Sequence, residues 1–477
     1  MGFYFKVRWG KMFELDRFKE YIAAVQDDGQ KITYSEINKF SDKISRIIKE
    51  RSVVFSFCRN TIGSLVGYLS FINNKIVPLM LSSNLDKDLF ENLYEVYSPQ
   101  YIWAPKDMEI EGMSVLLEEY GYCLYGTGKI LYPLYEELGL LLTTSGSTGS
   151  PKLVRQSYSN ILANTKSIVE YLQITSDERP ITTLPMNYTY GLSIINTHIY
   201  SGATIYLTEK TILEKQFWDF FAKYHITSFG GVPYTYEMLD RFRFWNRDLP
   251  SLVTMTQAGG KLSPELHKKF AEYAEKNGKH FVVMYGQTEA TARMAYLPYE
   301  KSLEKYGSMG IAIPGGEFQI IDIEGNVIEE AEQVGELLYR GENVTLGYAE
   351  KKEDLARGDE RRGVLITGDM AKKDKDGYYY IVGRKKRFLK MFGNRVNLDE
   401  LERMIKKEYS EIDCACVGKD DNMSIFVTIA DKEAQKKIKK FVANKTKLNP
   451  TAFHIFYTEA IPKNDSGKTL YSKLQIE

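Results

Sequence analysis

The amino-acid sequence predicts an α/β protein. A large N-terminal part is built of layered α/β subdomains. A small β segment and then a small α+β C-terminal part follow it. Three observations carry this expectation. Apolar strand-like runs alternate with helical periodicity over most of the chain. Short β runs between glycine turns take over from about residue 300. A basic segment with its own strand and helix patterns follows Gly383.

The elements can be justified in order. In "TYSEINKFSDKISRIIKE" (33–50), Ile37, Phe40, Ile44 and Ile47 recur at helical spacing, with Thr33 as a capping residue. "SVVFSFC" and "KIVPLML" read as strands with an apolar helix between them. "GLLLTTSGSTGSPK" (139–152) is an apolar strand entering a Gly/Ser/Thr loop, and a helix is expected from about Ser159, with Ile161, Ile168 and Leu172 on one face. "KHFVVMYGQTEA" (279–290) is a buried strand entering a polar turn. "GEFQIIDIEGN", "GELLYRGE" and "GYYYIVGR" form the β segment, about 300–383. The boundary with the α+β part is drawn at Gly383–Lys386.

Composition bounds the function. A chain of 477 residues accommodates two to four domains. The formal charge is zero, which argues against bulk nucleic-acid binding. Residues 384–477 nevertheless carry 20 Lys and Arg against 13 Asp and Glu, a bias that suits phosphates or an acidic partner. Its densest run, "KEAQKKIKK", reads as a solvated helix face. Cys58, Cys123, Cys414 and Cys416 are too scattered for a disulfide framework, and the "DCACVG" pair reads as one face of a buried strand. The N-terminus lacks a signal-peptide core, and the most apolar stretch (64–81) is broken by Asn73, Asn74, Lys75 and Pro78. A cytoplasmic protein without a membrane span is expected.

Two loops suggest phosphate chemistry. In "TTSGSTGSPK", glycines let backbone N–H groups approach an anion, hydroxyls add donors and Lys152 adds charge. It is not a Walker A loop, because only two residues separate Gly146 from Gly149. "PKNDSGK" (462–468) fails the same test, since Pro462 stands where the first glycine belongs.

These loops occur in order with "YGQTEA" (285–290) and "TGDMAKKDKDGYYYIVGRKKRFLKMFGNRVNLDELE" (367–402). Together they resemble the adenylate-forming superfamily of acyl-CoA synthetases, adenylation domains and luciferases. The likeness runs over nearly the whole chain from about Thr33. It implies a β-barrel-like character for the β segment, a large AMP-binding domain over 1–383, and a small mobile domain over 384–477 that carries the catalytic lysine.

The resemblance also implies roles. Thr144, Ser145, Gly146, Ser147, Thr148, Gly149 and Lys152 would cradle the β- and γ-phosphates of ATP. Thr288 would donate to the α-phosphate and Glu289 would hold Mg²⁺. Tyr285 and Gly286 would flank adenine opposite Ala258, Gly259 and Gly260. Asp369 would accept from the ribose hydroxyls, with Arg384 nearby. Lys468 would bridge the substrate carboxylate and the α-phosphate in the transition state. Lys386 would be the hinge, and Lys390 and Gly393 would face the incoming thiol.

One departure bears on substrate. In "PMNYTYGLS" (185–193) Tyr188 stands where amino-acid-activating relatives commonly carry Asp. A phenol supplies no charge for an ammonium, so an acyl or aryl acid is favoured. Tyr188, Tyr190, Gly191, Val232 and Tyr234, with Ala258, would line an apolar pocket with hydroxyl tips. The leading expectation is an ATP-dependent ligase that joins a carboxylic acid to a thiol. That thiol is coenzyme A or the phosphopantetheine of an acyl carrier protein acting in trans. The alternatives are an amino acid–carrier protein ligase and a catalytically silent nucleotide-binding scaffold.

Overall fold

The computed structural model describes residues 11–108, 110–143, 152–392, 394–463 and 469–474. Its described parts form two compact units: Met1–Glu317 with Arg340–Leu365, and Phe318–Tyr339 with Ile366–Glu477.

The first unit is built on two large sheets. In the eight-stranded sheet, Val53–Cys58, Val77–Ser82, Tyr101–Pro105 and Leu138–Thr143 run parallel. All six residues of Val53–Cys58 are buried. Such continuous apolar runs are what a strand covered on both faces requires. The nine-stranded sheet contains the parallel neighbours Ser228–Gly231, Thr254–Gln257 and His280–Tyr285.

The helix Tyr34–Ile47 begins at a capping box. Thr33 Oγ1 accepts from Glu36 N at 3.2 Å, and Glu36 Oε2 accepts from Thr33 N at 2.7 Å. The apolar helix Ile62–Asn73 buries all twelve residues. Its Gly67 makes room for the fully buried Trp103. Trp103 Nε1 donates to Gly63 O at 3.0 Å, and a Cβ built on Gly67 would lie 2.2 Å from that same nitrogen.

One element was not expected. The strand Leu153–Ser157 stands between the Gly/Ser/Thr loop and the helix Tyr158–Leu172. Its polar text hides it, yet all five residues are buried. Arg155 is fully buried, pairs with Glu360 and donates to the carbonyls of Leu346, Tyr348 and Arg357.

In the second unit, Gly316–Ile321, Gly335–Gly341, Val364–Lys373 and Tyr379–Arg384 form a four-stranded sheet in that order. The residues after 384 are tied to it. Asn397 Nδ2 donates to Val382 O at 3.0 Å, and Lys385 pairs with Glu336 at 2.7 Å. By packing, therefore, residues 318–339 and 366–383 of the β segment go with the C-terminal residues, and the rest goes with the first unit. The α+β part adds the helices Leu398–Glu408 and Lys432–Thr446 and three strands. In the strand Cys414–Lys419 both cysteines are buried, as the alternation predicts, and the run 432–440 lies on a helix that buries little more than Ile438 and Val442. All four thiols are free and buried. Burial pushes Cys58 and Cys414 up to about 12, and Cys416 well above its ordinary value. No described helix is long and apolar enough to cross a membrane.

Gly67→Ala tests the helix–tryptophan contact. Alanine gains roughly 0.5–1 kcal/mol of helix propensity, but overpacking costs roughly 1–3 kcal/mol. The expected outcome is a lower denaturation midpoint at unchanged m-value. An equal or higher midpoint would show that Trp103 gives way freely.

Candidate active site

The strands Thr254–Gln257 and His280–Tyr285 pair in parallel, with Gln257 beside Val283. Their carboxyl ends therefore open side by side, where α/β sheets hold ligands. Ala258, Gly259 and Gly260 follow the first. Gln257 Nε2 fixes that turn by donating to Ala258 O at 3.2 Å and Gly260 O at 3.0 Å. Gly259 has φ +82°, and a Cβ there would meet the Tyr188 hydroxyl at 2.4 Å and Val232 Cγ1 at 3.1 Å. Only glycine satisfies both demands.

Gly286 follows the second strand. A Cβ there would lie 1.6 Å from Ala292 O. Between these two residues the chain makes a turn that carries Thr288 and Glu289. The turn is clamped from its base. Asn343 Nδ2 donates to Ala290 O and to Arg293 O, both at 2.9 Å. Thr291 Oγ1 donates to Asn343 O at 2.7 Å, and Asn164 Nδ2 donates to Arg293 O at 2.9 Å. Thr345 N and Arg361 donate to Glu289 O at 3.0 and 2.9 Å.

The Glu289 carboxylate is half-buried and faces a small charged corner. Tyr348 donates its hydroxyl proton to Glu289 Oε1 at 2.7 Å. Burial, and then the Glu289 charge, push the Tyr348 phenol up to about 12, so it stays a donor at neutral pH. Lys152 Nζ lies 3.7 Å from the Tyr348 ring centroid, and Arg361 Cζ lies 4.6 Å from it. One carboxylate and two cations thus share one tyrosine ring. Tyr348, Arg361 and Asn343 were missed by sequence reasoning. Only the long-range fold brings them to Glu289, and no local signal marks them.

The expected pocket residues fall beside this corner. Tyr190, Val232 and Ala258 belong to one buried apolar cluster, with Tyr188 packed against it. Tyr190 and Thr256 share a hydroxyl hydrogen bond at 2.7 Å. Burial pushes the Tyr188 phenol up to about 12, and Arg293 pulls it back in part. Gly191 is needed for close packing, since a Cβ there would lie 2.3 Å from Pro185 O. Tyr234 stands apart, 47% exposed on the first turn of the helix Pro233–Arg241. Tyr285 is half-buried and accepts from Gln287 Nε2 at 3.2 Å.

In the second unit, Asp369 and Arg384 sit opposite one another on paired strands, with Arg384 Nε 3.7 Å from Asp369 Oδ1. Asp369 is buried while the Arg384 side chain is 67% exposed. Lys386 lies in an exposed turn directly after that strand. Arg387, not anticipated, is held by Asp399, Glu402 and the Cys416 carbonyl, and its guanidinium lies 3.8 Å from the Tyr471 ring centroid. Lys390 has its backbone on the strand Phe388–Met391, opposite Arg395. Thr144, Ser145, Gly146, Ser147, Thr148, Gly149, Gly393 and Lys468 lie outside the described residues. Their described neighbours Lys463 and Thr469 form a β-bridge.

The fold is that of the adenylate-forming enzymes. o-Succinylbenzoate CoA synthetase of Bacillus subtilis shares the fold with a TM-score of 0.79 over 98% of both chains at 19% identity. MatB of Rhodopseudomonas palustris does so at 0.76, over 97% of this chain and 98% of its own, at 21% identity. The chain belongs to the AMP-binding enzyme family, whose model matches residues 14–349. In sequence it is 28% identical over 351 residues to 4-coumarate–CoA ligase-like 2 of Arabidopsis thaliana, covering 71% of this chain and 61% of that protein. It is 31% identical over 284 residues to indoleacetate–CoA ligase of Aromatoleum aromaticum, covering 59% of this chain and 54% of that one. The matches thus span between half and two thirds of the length of these relatives.

Gly286→Ala probes the turn. Moving the Ala292 carbonyl aside costs about 1–3 kcal/mol, so AMP affinity should fall about tenfold or more while the fold is retained. Calorimetric titration reads the change, and an unaltered dissociation constant would show that the loop yields without cost.

Proposed function

We propose that the protein is an ATP-dependent, AMP-forming ligase that joins a carboxylic acid to the thiol of coenzyme A. The observation that carries this is the Thr288–Glu289 turn. It is clamped at a parallel strand end and presents a carboxylate beside Lys152. The curated relatives named as CoA ligases support the choice of acceptor. A carrier-protein phosphopantetheine offers the same thiol chemistry.

In the first step a carboxylate oxygen attacks the α-phosphorus of ATP. The bond from that phosphorus to the β-bridging oxygen breaks, and pyrophosphate leaves. Two anions must meet, so the protein's task is to screen their repulsion. Lys152, with the loop before it, serves the β- and γ-phosphates. Thr288 donates to the α-phosphate. Glu289 is a single carboxylate, and no described cluster of three or more metal-ligating groups exists. This suits an ion that completes its shell with phosphate oxygens and water. Glu289 would hold magnesium, which when bound supplies positive charge against the phosphates. Tyr348 fixes the carboxylate for that purpose. Asp369 accepts from the ribose hydroxyls. Lys468 takes the position between the two reacting anions that its motif implies.

In the second step the thiol sulfur attacks the acyl carbon, its proton passes to solvent, and AMP leaves. The turn at Lys386 would let the small domain exchange one pose for another, bringing Lys390 and Gly393 towards the thiol.

The reading is tested by pyrophosphate exchange with a panel of acyl, aryl and amino acids, repeated with coenzyme A. Exchange with amino acids alone would overturn it. Lys468→Ala should lower acyl-adenylate formation by on the order of 10² to 10³-fold, as for loss of one preorganised charge-stabilising donor. Unchanged adenylation would remove Lys468 from this role. Lys390→Ala should slow thioester formation more than adenylation in single-turnover measurements. Equal slowing of both steps would contradict the two-pose account.

A further inference from the structure

We infer that the acyl pocket ends at the Arg293 guanidinium, and that the acid taken there carries a second carboxylate at its distal end. This rests on the ligase reading of the same site and names its substrate class.

The inference begins with an anomaly of charge. Among the described residues, Arg155 and Arg293 are buried and Arg387 is nearly so. Arg155 is paired with Glu360 and several carbonyls. Arg387 is paired with Asp399 and Glu402. Arg293 is only 3% exposed, yet no described carboxylate lies within 4.0 Å of it. Its Nε donates to Met284 Sδ at 3.3 Å, and its Cζ lies 3.8 Å from the Tyr190 ring centroid. Tyr171, which donates to the same sulfur at 3.1 Å, and Tyr188 are further polar neighbours. A thioether and aromatic faces offset only part of the cost of burying a cation. An arginine so placed is a preformed fork for a planar anion.

The surroundings fit such a ligand. Arg293 lines a cavity of about 30 Å³ with Ser193, Ile194, Thr197, Gly230 and Thr256. That space is on the scale of about two waters, enough for a small head group and no more. The Ser193 and Thr197 hydroxyls already donate to the carbonyls of Tyr190 and Ser193, so Arg293 is the cavity's charged donor, and Tyr190, hydrogen-bonded to Thr256, packs in the cluster that holds Val232 and Ala258. Two other titratable groups line the same cavity. The Glu178 carboxylate already accepts from Thr227 Oγ1 at 2.8 Å and Ser228 Oγ at 3.0 Å. His198 is buried, which lowers its basicity, and its Nδ1 is 2.8 Å from Ile194 O. Neither neutralises Arg293.

The experiment compares straight-chain dicarboxylic acids, malonic to adipic, with the monocarboxylic and ω-hydroxy acids of equal length. Thioester formation with ATP and coenzyme A is measured for each. So is the thermal shift that each acid produces with ATP present. The best diacid should exceed its matched monoacid in kcat/KM by about 10²-fold, the scale of an unpaired buried charge. Arg293→Met, close in volume, should abolish this preference and the diacid-specific thermal shift. Arg293→Lys, which keeps the charge and loses the fork, should restore part of it. Monoacids or hydroxy acids turned over as well as diacids would overturn the inference and leave the ligase reading intact. A diacid-specific shift lost in Arg293→Met, with no thioester from any acid, would sustain the tail site and overturn the ligase reading. If Arg293→Met fails to fold, the wild-type ranking of the matched acids decides alone.

Discussion

The site depends on one crowded crossing. After the strand His280–Tyr285 the chain turns through Thr288 and Glu289 and returns so closely that Ala292 O occupies the place of a Gly286 side chain. Nothing but hydrogen fits there. The reversal is tight enough for Met294 N to donate to Tyr285 O at 2.8 Å, and Ala295 then pairs antiparallel to Tyr285. A single steric constraint thus sends Glu289 to the rim, where Tyr348 meets it, and Arg293 to the interior, where Tyr190 meets it. A carboxylate at the rim and a guanidinium inside are thus two ends of one short loop.

Apart from Arg361, the side chains that clamp that loop are neutral amides and hydroxyls. Asn164, Asn343, Thr189, Thr291 and Thr345 hold its carbonyls and amides. Charged clamps would compete for Glu289 or Lys152. Neutral ones position the backbone and leave the ionic groups to the ligand. The one cation on the outer side, Arg361, donates to the Glu289 carbonyl and to Thr345 Oγ1. It therefore supports the turn from its backbone while lending positive potential to the corner.

What the sequence made legible follows from the range of the interactions. Thr33 and Glu36 are three residues apart, so the capping box could be read locally, and it formed. The apolar runs 53–58 and 77–82 could be read because parallel strands covered on both faces have no polar side. The strand Leu153–Ser157 could not. Its Arg155 is burial-competent because Glu360 and the carbonyls of Leu346, Tyr348 and Arg357, all distant in sequence, meet it. Tyr348 and Arg361 escaped for the same reason, each being useful only beside a residue distant in sequence. Tyr234 was expected in the pocket from its place in "GGVPYTYEML", but the helix that begins at Pro233 carries it outward. Arg293 was not singled out in the sequence either, because the Tyr171 and Tyr190 rings that surround it come from distant segments.

On the proposed ligase reading, the four cysteine sulfurs bear on how the protein coexists with a thiol acceptor. Thiolate, not thiol, performs exchange and alkylation. Cys58, Cys414 and Cys416 are sealed from solvent and hold their protons far above neutral pH, and Cys123 is sealed as well. A catalyst bathed in a free thiol is thereby insulated from mixed disulfides with it. Maleimide or aromatic-disulfide reagents would register the consumption of the acceptor without a background from the folded polypeptide.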